Sequence, residues 1–142
     1  MVNSIIDGIS MKLNEIFGAS YEIYSEARDQ GFNEPCFFIS LLNSTNTPKL
    51  KNRFYREYTF EIRYLPSLSN KKNKEINDIN EKLIDGLEYI SLNESLVRGS
   101  KINSEVFSNV LHFFINYNVF VVKDGAKDES MESISIKKII KR

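Results

Sequence analysis

Apolar residues follow two periods along this chain. From Ser4 to Phe17, the residues Ile5, Ile6, Ile9, Leu13, Ile16 and Phe17 recur at helical spacing and form one stripe. The pattern predicts a helix over 4–17. Ser4 with Asp7 resembles a capping box, and Gly18 suits a left-handed stop. A short strand is predicted at 21–25, where Tyr21, Ile23 and Ser25 alternate with Glu22 and Tyr24. A polar connection leads to Pro35. CFFISLL, 36–42, is apolar on both faces, as expected of a strand covered on both sides. NSTNTPKLKN, 43–52, reads as a loop because it carries Asn, Thr and Pro with only Leu50 as a long apolar side chain.

The clearest alternation lies in RFYREYTFEIRYL, 53–65. One face carries Phe54, Arg56, Tyr58, Phe60, Ile62 and Tyr64, and the other Arg53, Tyr55, Glu57, Thr59, Glu61, Arg63 and Leu65. Period two over that length predicts a half-buried antiparallel strand. After PSLSN, with Ser67 or Ser69 as cap, a second helix is predicted over 71–90. Its stripe is Ile76, Ile79, Leu83, Leu87 and Ile90, with Lys74, Glu75, Asp78, Glu81 and Lys82 toward water. Gly86 falls inside that helix at a cost of about 1 kcal/mol against Ala, which suggests a close approach of its backbone to the sheet. Strands at 97–107 and 110–122 are joined through Ser108-Asn109 as a hairpin. A loop is expected at 123–130. Ile134 and Ile136 alternate in a last short strand.

The order is α-β-β-β-α-β-β-(β). It defines an α+β fold, with a mainly antiparallel sheet of about five to six strands packed against two helices. A chain of 142 residues without repeat or linker fits one domain over 1–142.

Charge changes the picture little. Lys plus Arg and Asp plus Glu number 19 each, so no net field steers the chain toward nucleic acid or anionic lipid. Near-zero net charge does leave copies of the chain free to associate. One cysteine, Cys36, excludes an internal disulfide and suits folding inside a cell. The first 18 residues carry Asp7, Lys12 and Glu15, so neither a signal peptide nor a membrane span is expected there.

Candidate chemistry is sparse. VLHFFINYNVFVV, 110–122, holds the single histidine, His112. On a strand, His112 shares a face with Val110, Phe114, Asn116, Asn118 and Phe120, so Asn116 is placed to orient it. No Ser, Thr or Cys stands at a recognisable nucleophile spacing. A packed or edge histidine is the reading preferred over a site histidine. The competing class is a small enzyme or ligand-binding domain using His112 with a carboxylate. Cys36 has neither a cationic neighbour nor a helix start in the sequence to activate it, and reads as a buried small hydrophobe. One His and one Cys exclude the common structural zinc patterns. Glu57 and Glu61 share a strand face at about 13 Å, beyond the roughly 5–10 Å of glycosidase pairs. With Arg53 and Arg63 they read as a charged interface. Six isolated glycines build no phosphate loop. No cofactor or metal is expected. Lys49, Lys51 and Arg53, beside Tyr55, form a compact basic group that suits a solvated loop or phosphate contact. Lys137, Lys138, Lys141 and Arg142 read the same way.

Several segments resemble one family in order along the chain: IIDGISMKLNEIFG, YEIYSEARDQGFNEPCFFISLLN, NRFYREYTFEIRYLPS, LVRGSKINSEVFSNVLHFFINYNVFV and MESISI. The pieces EPCFFI, RYLPS, LVRG and VLHFFINY carry most of it. They resemble the small tail terminator proteins of tailed phages and phage-like elements of Gram-positive bacteria. The resemblance implies a structural virion protein without catalytic residues. It implies a ring, typically hexameric, that caps the tail tube and meets the head connector or other neck proteins. The sheath is a further partner if the tail is contractile, and DNA passes through the ring without specific recognition. The expected place is the virion tail or neck, assembled in the host cytoplasm, on an infectious phage or a bacteriocin-like particle. Another neck or tail-completion role in the same particle is the neighbouring reading. Under this resemblance Lys49, Lys51, Arg53, Glu57, Glu61 and Arg63 are the candidate subunit or tube interface.

Overall fold

The computed structural model describes residues 1–25, 31–123 and, for the backbone, 134–137. The expected loop at 123–130 falls almost wholly outside these residues. The elements are α1 (Val2–Phe17), β1 (Glu22–Tyr24), β2 (Cys36–Pro48), β3 (Arg53–Leu65), α2 (Lys72–Gly86), β4 (Tyr89–Leu92), β5 (Ser95–Phe107), β6 (Val110–Lys123) and β7 (Ile134–Lys137). They form one seven-stranded sheet in the order β1-β2-β3-β6-β5-β4, with β7 also paired to β6. Every pairing is antiparallel except β1 with β2. This is the α+β architecture that the two hydrophobic periods imply, with one strand, β4, beyond the expected set.

Both helices pack on the same face of the sheet. Ile5, Ile9 and Leu13 of α1 and Ile76, Ile79 and Leu83 of α2 meet Phe60, Ile62 and Tyr64 of β3 and the alternate residues Leu111 to Val121 of β6 in one apolar cluster. The six residues of that β6 face are at most 1% exposed. Burying one such side chain stabilises by roughly 1.5–3 kcal/mol, so this strand anchors the core.

Three boundaries differ from the sequence expectation. Residues 43–48 continue β2 instead of forming a loop, and only 49–52 turn the chain. Ladder pairing with β3, from Asn43↔Thr59 to Pro48↔Phe54, fixes these weak strand formers. The second helix ends at Gly86, not at residue 90. Leu87 and Ile90 keep their buried positions, but Ile90 does so from β4. Gly86 packs against Ile16 of α1 and not against the sheet: a Cβ there would lie 2.2 Å from Ile16 Cδ1. Third, α1 starts at Val2 with Met1 as cap, so Ser4 and Asp7 form no capping box. Gly18 does end α1 at a positive φ of 84°, donating to the Asn14 carbonyl at 2.9 Å. The Ser108-Asn109 turn has both residues at positive φ, as a two-residue hairpin loop requires.

Candidate assembly interface

Period-two geometry places Arg53, Glu57, Glu61 and Arg63 on one face of β3, away from the helices. Arg53 and Arg63 are nevertheless about 33 Å apart along the strand at roughly 3.3 Å per residue. The six candidate residues therefore form two groups and not one patch.

The first group sits at the tip of the β2–β3 hairpin. Lys49 N–H donates to the Arg53 carbonyl at 2.8 Å, Arg53 N–H to the Leu50 carbonyl at 3.3 Å, and Lys123 N–H to the Asn52 carbonyl at 2.9 Å. Lys51 takes a positive φ of 62° to close the turn. These bonds hold Lys49, Lys51 and Arg53 exposed around Leu50, which is 82% exposed. Three exposed cations thus surround an apolar hairpin tip. Glu57 lies two repeats of the alternation below Arg53, where it accepts from Thr45 Oγ1 at 3.0 Å.

The second group centres on His112. On the ladder His112 lies opposite Arg63 of β3 and Glu105 of β5. Its Nδ1 donates to Glu61 Oε2 at 2.6 Å, across the diagonal of the β3–β6 pair. Glu61, not Asn116, orients the ring. Asn116 is instead almost buried, farther along the same strand face. The sequence offered no signal for this partner, because it is 51 residues away and set by register. Arg63 stacks over the Phe38 ring at 5.0 Å. Phe38 is also covered edge-on by Phe32 and flanked by Tyr24.

Cys36 is fully buried at this end of the sheet. Burial, and next the Glu34 charge, push its thiol up to about 11, against a smaller opposing effect of Arg63. A protonated thiol is no nucleophile at neutral pH. Among the described residues no group of three or more His, Cys, Asp or Glu is arranged to hold a metal.

A third polar cluster joins β3 to α2. Glu75 accepts from the Tyr64 hydroxyl, from Ser67 N–H at 2.9 Å and from Ser67 Oγ at 2.8 Å. Burial alone would raise the Glu75 carboxyl, but the three hydrogen bonds outweigh it and hold it below the usual glutamate range. Glu75 thus fastens the start of α2 to the sheet and does not face water as its helical position suggests. Of the two candidate cap serines, Ser69 accepts from Lys71 N–H at 3.1 Å, just outside the helix.

The chain matches the family model for phage tail terminator proteins over residues 4–129. That span covers most of the 142 residues, so the chain belongs to this family. The family is structural, and membership implies a place in the virion tail and contact with other tail or neck proteins. No individually curated protein matches the chain in sequence. No helix among the described residues is long and apolar enough to cross a membrane.

Proposed function

We propose that this protein caps the tube of a phage or phage-like tail, ends its polymerisation and presents the surface that joins the neck or head connector. It does so as a single-domain protein in a closed ring of copies, six being the number the resemblance implies. The match to the terminator family over residues 4–129 carries this reading. The layer arrangement supports it: helices pack on one face of the sheet, leaving a charged and aromatic strand face and an exposed hairpin tip for assembly contacts. Lys49, Lys51 and Arg53 at the tip contact the tube or a neighbouring subunit, with Lys49 and Lys51 the candidates to meet passing DNA. Glu57, Glu61 and Arg63 contribute through the open face.

Electron microscopy of particles made without the protein tests the reading. Overlong or uncapped tails support it, and tails of normal length joined to their neck overturn it. The His112–Glu61 pair is the one observation favouring an enzyme instead. His112→Ala separates the two classes: the structural reading expects tails of normal length, and an enzymatic one expects loss of function from a folded variant.

A further inference from the structure

β2 has an open edge. β1 covers only Cys36, Phe37 and Phe38, so from Ile39 to Pro48 one side of β2 has no strand partner among the described residues. Side chains 42–48 are all exposed. An unpaired edge is a template for another strand, and folded proteins commonly guard such edges with charge. Here the protection is inverted. β2 carries no charged residue from Cys36 to Pro48, while β3, paired on both sides, carries Arg53, Arg56, Glu57, Glu61 and Arg63. The bulge after Leu41 and the proline at 48 bracket the open segment and leave Asn43 to Thr47 uninterrupted.

A matching edge lies on the far side of the same sheet end. There the strands run β2-β3-β6-β7, each antiparallel to the next. Thr47, Tyr55, Phe120 and Lys137 occupy one row. Four alternating strands leave β2 and β7 pointing in opposite directions. Two copies set side by side in the same orientation therefore bring β7 of one against β2 of the next as an antiparallel pair. Such a head-to-tail contact can repeat and close a ring. Zero net charge leaves no long-range repulsion to oppose it.

We infer that the open edge of β2, residues 43–48, binds the β7 edge of a second copy of this chain, making a sheet continuous across subunits. The inference rests on the proposed self-assembling role and adds which backbone edges meet. Cysteine pairs in the full chain within assembled particles test it: Asn43→Cys, Thr45→Cys or Thr47→Cys, each combined with Lys137→Cys. Treatment with a short bis-maleimide should give a ladder of covalent multimers for at least one pair. Each single variant and the parent chain, whose Cys36 is buried, should stay monomeric. A dimer from a single β2 cysteine would mean β2 pairs with itself, and a cross-link to another tail protein would mean a different occupant; either overturns the inference. So does the absence of multimers from all three pairs. If overlong tails still appear when the protein is missing, the capping role survives that failure. As a second arm, Asn43→Lys with Thr45→Lys and Thr47→Lys should weaken self-association about tenfold or more, with circular dichroism unchanged. A folded triple variant that assembles like the parent also overturns it.

Discussion

Three side chains show how burial decides chemistry at the residue scale. Cys36, with its thiol pushed up to about 11 by burial, should not react with Ellman's reagent at pH 7–8 until the protein is unfolded in denaturant; prompt labelling of the folded chain would contradict its packing. Glu75 couples stability to pH. Its carboxyl sits below the ordinary value of 4.5 when folded, so its contribution is complete above that value and is lost as pH falls through the lowered folded value. Urea unfolding of the parent and Glu75→Gln should therefore differ most near neutral pH and converge as pH falls through that lowered folded value. Glu75→Ala leaves the Tyr64 hydroxyl without its acceptor and should cost about 1–3 kcal/mol. His112 is held by one hydrogen bond to a half-buried Glu61, so His112→Ala should cost about 1 kcal/mol by the same measurement.

Glycine marks the close approaches between elements. On a helix, Gly→Ala ordinarily stabilises by about 1 kcal/mol. At Gly8 the opposite is expected, because a Cβ would lie 2.7 Å from the Ser91 backbone carbonyl, where α1 crosses β4. Overpacking against backbone costs about 1–3 kcal/mol, so Gly8→Ala should lower the thermal midpoint. Gly86→Ala meets only the movable end of Ile16 and should cost less. The same contacts explain β4. Ile90 continues the stripe of α2 and shares a period-two strand face with Leu92, and Asn93 and Glu94, both at positive φ, turn the chain into a hairpin with β5.

For the whole molecule, the proposed function depends on surfaces that one copy leaves open. Reversing the tip charges with Lys49→Glu, Lys51→Glu and Arg53→Glu should change the unfolding free energy by less than about 1 kcal/mol, since exposed charges contribute little to folding. Assembly onto tails, scored by electron microscopy, should fall. Normal capping by that triple variant would remove the tip from the interface while leaving the core argument intact.

Hydrophobic period alone determined much of this protein. The stripe of α1 placed Ile5, Ile9 and Leu13 in the core, the alternation of β3 placed Tyr58, Phe60, Ile62 and Tyr64 there, and the face from Leu111 to Val121 is buried throughout, while Ile6, Phe17 and Phe54 are only partly covered. It also placed Arg53, Glu57, Glu61 and Arg63 on one strand face. Local pattern works there because a residue's face follows from its own element's repeat. It failed at 43–48, where Asn, Ser and Thr are strand only because β3 pairs with them, and at 87–90, where a buried apolar residue suits helix or strand equally. The Glu61–His112 bond, the separation of the charged residues into two groups and the open edge of β2 follow from register and strand order. These are relations between segments distant in sequence, and only the tertiary structure decides them.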